Sequence, residues 1–162
     1  MARRGRAMVT PGVLRRWVSV RPWALPVIVL LCVTLPHLSD GDWMRTDSGW
    51  YAAIGTQAWR TGELLTLYGE PGQPYFNKPP LVFWIIGLPM HLFGPGAWTA
   101  RLATIVAAAG CILITISTAR LGLSRRGAMW AGISLALTYE FFRRTREISL
   151  DMWQTLFLLL AL

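Results

Sequence analysis

The stretch AWTARLATIVAAAGCILITISTA, residues 97–119, decides the fold of this chain. It is apolar almost throughout, and its one charged residue, Arg101, lies near its start. A helix needs about 17–25 apolar residues to cross the roughly 30 Å hydrocarbon core of a bilayer. The stretch therefore predicts a transmembrane helix over residues 97–119, and the rest of the chain is interpreted around it.

The composition also indicates a membrane protein. Hydrophobic residues make up 54% of the 162 residues and charged residues only 15%, whereas about 25% of a soluble domain is charged. Sixteen Lys and Arg stand against eight Asp and Glu. The basic residues bracket the apolar runs instead of forming one surface stripe, which favours membrane orientation over nucleic-acid binding. We expect membrane lipids as partners and no nucleic acid.

Residues 1–22 contain several arginines and no acid. Because positive charge stays on the cytoplasmic side, this segment is predicted to be a cytoplasmic basic tail. The apolar run over residues 23–38 is predicted to be transmembrane helix 1. A basic segment before an apolar one also describes a signal peptide, but no small-x-small cleavage site follows. We interpret the run as a retained signal anchor.

Residues 39–96 are predicted to form a loop outside the membrane that carries juxtamembrane helices. Residues 48–60 could form a short amphipathic helix, with Asp47 or Ser48 as the N-cap and Gly62 as the stop. The apolar segment over residues 79–93 is short for a span and contains several prolines and a glycine. It is either a weak transmembrane helix or a helix that lies along the interface.

The remaining segments are predicted to alternate between transmembrane helices and loops. The prediction places transmembrane helix 2 at residues 97–119, a cytoplasmic loop at 120–127, transmembrane helix 3 at 128–142, an outside loop at 143–147, and the start of a fourth helix at 148–162. The acid-free loop with Arg120, Arg125 and Arg126 is cytoplasmic only if residues 79–93 do not span. We therefore favour the interfacial helix, which puts Asp151 on the same side as Asp47. The last run is too short to cross, so we expect a piece of a longer chain.

Two cysteines, Cys32 and Cys111, each lie inside an apolar run without a CxxC motif. We expect both to be buried, inert thiols.

Three charged residues could carry chemistry. Asp47 is either a helix cap or a general base at the membrane surface. Lys78, the only lysine, is either a snorkelling anchor or a contact for a lipid phosphate. Asp151, at the head of the last apolar run, is either a partner of the helix dipole or a functional acid.

These residues lie in a recognisable order: an Asp after the first span, the string Tyr-Phe-Asn-Lys-Pro-Pro-Leu at 75–81, then Phe-Gly, Arg-Leu and Leu-Asp-Met. The order resembles the N-terminal module of GT-C type polyprenyl-phosphate-dependent glycosyltransferases, closest to the aminoarabinose-transferase and protein O-mannosyltransferase group. The resemblance covers roughly residues 20–162. It implies an all-α polytopic membrane bundle with juxtamembrane helices in the first outside loop.

The resemblance also implies a function. Such enzymes transfer a sugar from a polyprenyl-phosphate donor to a lipid A-like lipid, protein or glycan acceptor outside the membrane, usually without a cofactor or an essential metal. By position, Asp47 matches the catalytic base and Asp151 the second acid. Lys78 matches the phosphate contact, and Tyr75 and Arg146 are assigned as further substrate-binding residues. We expect the inner membrane as the location, with the site facing the periplasm or outside.

The chain departs from the family pattern at two positions. Ser48 follows the first acid where the family commonly has Glu, and Trp50 occupies a position that is sometimes basic. We expect the chain alone to be inactive, since further helices help to close the donor and acceptor cavities in the family. The alternatives are a non-catalytic membrane subunit or gene remnant of the same fold, and a small transporter. The sequence identifies neither the sugar nor the acceptor.

Overall fold

The computed structural model describes residues 23–39, 47–70 and 72–162. In chain order the elements are α1 (Ala24–Thr34) with a 3-10 turn (Leu35–His37), α2 (Asp47–Thr61), β1 (Tyr68–Glu70), β2 (Gln73–Pro74), α3 (Pro80–Phe93), α4 (Ala97–Ala119), α5 (Arg125–Leu137), α6 (Tyr139–Thr145) and α7 (Leu150–Leu160). The predicted all-α class is confirmed, since the strands of the described part form one short antiparallel hairpin. The predicted basic tail, residues 1–22, lies outside the described residues.

Helix α4 is the centre of the bundle and has the predicted bounds. Among the described residues it is the one helix that is both long and apolar enough to cross a membrane. Small residues line its buried face, including Ala100, Ala107 and Cys111. They let neighbouring helices approach closely, as in membrane bundles where packing replaces the hydrophobic effect. A Cβ added at Gly110 of α4 would lie 2.8 Å from Leu156 Cδ1 of α7.

The second helix, α2, packs against α3 at a pair of glycines. A Cβ added at Gly55 would lie 2.6 Å from the Phe83 carbonyl oxygen, and one added at Gly87 would overlap the Gly55 carbonyl. Indole hydrogen bonds flank this crossing: Trp59 Nε1 donates to Trp84 O at 2.8 Å, and Trp84 Nε1 donates to Leu64 O at 2.6 Å. The two helices are therefore held as one unit.

The ends of α2 and α3 follow local chemistry. The predicted stop of α2 is confirmed, because Gly62 follows Thr61 with a φ of 76°, which favours glycine. Proline at the first position of α3 costs no hydrogen bond. Gly94, with a φ of 88°, ends α3 before α4 begins.

Three details differ from the sequence prediction. The run predicted as one helix over 128–142 is two helices, because Thr138 takes an extended conformation (ψ 125°) between α5 and α6. Part of the predicted loop 143–147 is consequently helical. Cys32 is exposed, whereas Cys111 is buried as expected. Cys32 follows the exposed positions Leu25 and Ile28 by seven and four residues, so it lies on the exposed stripe of α1.

Candidate functional site

Lys78 and Asp151 line the same cavity, although 73 positions separate them in the numbering. This cavity, here called the polar cavity, has a volume of about 590 Å³. Its other lining residues come from the start of α2 and from the stretch that runs from the end of α6 to the start of α7: Ser48, Tyr51, Arg144, Glu147, Ile148, Ser149 and Leu150. The cavity thus collects two cations and two carboxylates from three parts of the chain.

Lys78 is placed by the hairpin and the two prolines that follow it. Tyr75 N donates to Leu67 O at 2.6 Å, and the Tyr75 ring meets the buried Phe83 ring edge-on at 5.7 Å. Pro79 is extended (φ −60°, ψ 141°) immediately before α3. Among the described residues none forms an ion pair with Lys78, which is exposed. The ammonium group is therefore available to an anion in the cavity.

Asp151 is placed by the capped start of α7. The Ser149 hydroxyl accepts a hydrogen bond from Met152 N at 3.3 Å, and Ser149 N donates to Thr104 Oγ1 of α4 at 3.2 Å. These two bonds fix the first turn of α7 on α4. The Asp151 side chain remains 70% exposed, and its Oδ2 lies 3.3 Å from Arg144 Nη1. A carboxylate in the first turn also interacts favourably with the helix dipole, so the dipole interpretation of Asp151 remains open.

A cluster of alternating charges on α6 forms the wall behind Asp151. Arg144 Nε donates to Glu140 Oε1 at 3.2 Å, and Arg144 Nη1 lies 3.5 Å from Glu147 Oε2. Arg143 contacts the same two glutamates. The hydrogen bond from Arg143 is the main reason that the pKa of Glu140 is lowered below its ordinary value of 4.5, with a further contribution from Arg144. With seven residues and these charges, α6 is too short and too polar to cross a membrane by itself.

A second cavity, here called the apolar groove, opens beside the polar cavity between α3 and α7. It has a volume of about 530 Å³, and its walls include Leu81, Val82, Phe157 and Leu158. Lys78, Leu150 and Asp151 line both cavities. A molecule that carries a charged group on a long apolar chain could therefore place the charge at Lys78 and the chain in the groove.

Asp47 is the first residue of α2, and its side chain lies outside what the structure describes. The next residue, Ser48, and Tyr51 one turn later both line the polar cavity. The start of α2 is consequently at the cavity that holds Lys78 and Asp151. The predicted roles of Asp47, as cap or as base, stay predictions.

Tyr75 and Arg146 lie in neighbouring cavities. Tyr75 lines a pocket of about 330 Å³ on the far side of Lys78, together with Phe76. Arg146 lines a cavity of about 250 Å³ with Arg101, and its guanidinium carbon lies 5.4 Å from the centre of the Phe142 ring. Of the two, Tyr75 shares its pocket with Lys78, whereas Arg146 shares neither the polar cavity nor the apolar groove.

Arg144 and Glu147 are the charged residues of the polar cavity that the sequence reasoning missed. The signal was the spacing of Glu140, Arg143, Arg144 and Glu147, which are three or four positions apart. That spacing predicts ion pairs along one helix face, and it was interpreted as a loop. Within the described ranges, no three His, Cys, Asp or Glu side chains are grouped to hold a metal ion.

Comparisons with known proteins agree with this architecture. The family described as dolichyl-phosphate-mannose-protein mannosyltransferase matches residues 77–162, just over half of the chain. The matched residues include Lys78 and Asp151, which line both the polar cavity and the apolar groove. The chain belongs to the dolichyl-phosphate-mannose-protein mannosyltransferase family, and it is a membrane protein.

The similar curated proteins are distant and longer. An uncharacterized protein of Aquifex aeolicus is 27% identical over 140 residues, which cover 85% of this chain and 27% of that protein. Two proteins of Pseudomonas fluorescens strains, both named undecaprenyl phosphate-alpha-4-amino-4-deoxy-L-arabinose arabinosyl transferase 1, are 29% and 28% identical over 62% and 63% of this chain. The chain spans 18% of the length of each of these two. No solved structure matches.

Proposed function

We infer that this chain forms the donor-binding side of a glycosyltransferase that takes a sugar from a polyprenyl-phosphate donor and transfers it to an envelope acceptor. One observation carries the inference: Lys78 and Asp151 line both the polar cavity and the apolar groove. A polyprenyl-phosphate sugar has the matching parts, a sugar and a phosphate at one end and a long hydrocarbon chain at the other. The acceptor is a lipid A-like lipid, a protein or a glycan.

The site is proposed to face the periplasm or outside of the inner membrane, with the basic N-terminus in the cytoplasm. The position of α3 supports this topology. Its last residue precedes the start of α4 by four positions. Its first residue comes two positions after Lys78, which lines the polar cavity with Ser149. Ser149 N donates to Thr104, which lies about 10 Å from the start of α4. Both ends of α3 are therefore near the same end of α4, as expected for a helix that lies across the bundle at the interface.

The proposed reaction is an inverting displacement at the anomeric carbon. Asp47 accepts the proton of the acceptor as its oxygen or nitrogen bonds to that carbon. The bond from the carbon to the phosphate oxygen breaks, and its electron pair leaves on the phosphate. Lys78 stabilises the negative charge that develops there, and Asp151 accepts a hydrogen bond from the sugar. No cofactor is proposed, because the lipid-linked sugar is itself the activated substrate.

The test is made in cells that lack the gene for this chain. Mass spectrometry of lipids and envelope glycans is expected to show that a glycosylated component is lost and a polyprenyl-phosphate sugar accumulates. Restoring the gene with Asp47→Asn should leave both changes in place, since the amide cannot take the acceptor proton. Glu63→Gln, which neutralises an exposed acid of the same loop, should restore the normal pattern.

Two results would contradict the proposal. Normal glycosylation with Asp47→Asn would rule out this residue as the base. An unchanged set of lipids and glycans after deletion would instead support the non-catalytic subunit or gene remnant.

A further inference from the structure

Arg144 is the second cation of the polar cavity, and no role is assigned to it above. Its side chain is 41% exposed, and its guanidinium group contacts Glu140, Glu147 and Asp151. Two of these acids, Glu147 and Asp151, line the cavity with it. Arg144 therefore lies where it can separate two carboxylates from a ligand bound at Lys78.

The charge balance of the cavity shows why that position matters. Among the described side chains of the lining, Lys78 and Arg144 contribute two positive charges, and Glu147 and Asp151 contribute two negative ones; Asp47, the proposed base, adds a further acid at the start of α2. Without Arg144, one ammonium would have to hold a phosphate against two nearby carboxylates. Like charges this close disfavour anion binding, so the cavity needs the guanidinium group to accept an anion.

The proposed reaction increases that need as it proceeds. The donor is a phosphodiester with one negative charge. When its sugar leaves, the lipid carries a phosphate monoester with a charge of about −1.5 to −2 at neutral pH. Lys78 can match one of these charges. A second cation in the same cavity would stabilise the charge that appears only as the bond to the sugar breaks.

We propose that Arg144 is a phosphate-binding residue that works with Lys78 and matches the second charge of the departing lipid phosphate. Glu140 and Glu147 hold the guanidinium in place before the donor arrives, and its planar fork suits a phosphate oxygen pair. This inference rests on the proposed function, because it assumes a lipid-phosphate donor in the polar cavity and the apolar groove.

The chain offers a matched control in the adjacent residue. Arg143 contacts the same Glu140 and Glu147 as Arg144, but it lines the cavity of Arg146 instead of the polar cavity. Arg143→Gln therefore removes a charge and two ion pairs beside Arg144, including one with Glu147, without replacing a residue that lines the polar cavity. Any general effect of disturbing α6 should appear in both variants.

The experiment measures ligand binding to the purified 162-residue chain in detergent by isothermal titration calorimetry. Three probes are compared. Farnesyl phosphate is a monoester, its methyl diester carries one negative charge, and farnesol carries none. Arg144→Gln is expected to weaken farnesyl phosphate binding roughly ten- to hundred-fold, and to weaken diester binding less. Lys78→Gln should weaken both phosphate probes, Arg143→Gln neither, and Arg144→Lys should recover part of the loss. Circular dichroism of each variant checks that the helices are intact.

The outcomes distinguish an error in the proposed donor site from an error in the role of Arg144. If farnesyl phosphate binds no better than farnesol, or if Lys78→Gln leaves its binding unchanged, the donor site itself is wrong. If Lys78→Gln weakens binding and Arg144→Gln does not, only the role of Arg144 is wrong. Equal losses for Arg143→Gln and Arg144→Gln, or for Arg144→Lys and Arg144→Gln, would likewise refute a specific phosphate contact by Arg144.

Discussion

The pKa of a charged side chain in this protein depends on the charges next to it. Glu140 illustrates this, because it receives hydrogen bonds from Arg143 and Arg144 at once. The pKa of its carboxyl is lowered, so the ionised form is favoured in the folded chain. A lowered pKa in the folded state gives stability that is present above the pKa of the unfolded chain and is lost as the pH falls through the folded pKa.

Replacing Arg143 tests this effect at a single group. Arg143→Gln removes the first cause of the shift, so the pKa of Glu140 should rise towards 4.5. Carbon-13 NMR of labelled glutamate carboxyls, titrated from pH 7 to acid, measures it. Arg126→Gln, in the first turn of α5, is the control and should leave the Glu140 titration unchanged. An unchanged Glu140 pKa in Arg143→Gln would show that the hydrogen bond is absent in solution.

Glycines determine how closely neighbouring helices pack. Helices α2 and α3 touch backbone to backbone at Gly55 and Gly87, and α5 approaches α4 at Gly132, where an added Cβ would lie 2.8 Å from Ile116 Cγ1. At the crossing of Gly55 and Gly87 the neighbouring backbone has no free rotamer to move aside, so an added methyl group there must push the two helices apart. The polar cavity and the apolar groove depend on that spacing, since residues of α2, α3 and α7 line them.

Gly87→Ala is expected to disrupt the unit formed by α2 and α3. The added methyl group would overlap the Gly55 carbonyl, and overpacking of this kind costs about 1–3 kcal/mol or more in the free energy of unfolding. Thermal unfolding in detergent, followed by circular dichroism, measures the loss. Gly122→Ala is the matched control, since an added Cβ there meets nothing within 4 Å. Equal unfolding temperatures for the two variants would contradict the close crossing.

At the scale of the whole molecule, the fold brings the proposed site to one end of the bundle. The start of α2, Lys78 just before α3, and the start of α7 all line the polar cavity. The predicted arginine loop, with Arg120 after the far end of α4 and Arg125 and Arg126 at the start of α5, lies at the other end of α4. If α4 spans the membrane, the site and this arginine loop are on opposite sides.

Chemical labelling in intact cells tests that topology. In a chain with Cys32 and Cys111 changed to Ser, Lys78→Cys should react with a membrane-impermeant maleimide from outside. Arg120→Cys should react only after the membrane is permeabilised, because a charged reagent cannot cross the bilayer. Mass spectrometry of the labelled chain gives both results. Labelling of both positions before permeabilisation, or of Arg120→Cys alone, would contradict the proposed orientation.

The sequence predicts the membrane core better than it predicts the site. The bounds of α4 follow from a long uninterrupted apolar run. The end of α2 follows from Gly62, because glycine favours the positive φ found there. The break at Thr138 does not follow from the sequence, because the residue types over 128–142 do not distinguish one helix from two. The sequence assigns Arg146 to substrate binding, but Arg144 lines the polar cavity with Lys78 and contacts Asp151 of α7. This arrangement depends on packing between distant segments, which the order of residues along the chain does not show.

Lys78 borders the polar cavity, the apolar groove and the pocket of Tyr75. Moving a hydrocarbon chain into water costs about 0.8 kcal/mol for each methylene group, a prohibitive sum for a polyprenol. In the proposed function the donor avoids this cost by entering sideways from the outer leaflet. Its tail passes between α3 and α7 while its headgroup stays at the water boundary. Turnover would then depend on lateral diffusion within the bilayer, and not on the concentration of any solute in the surrounding water.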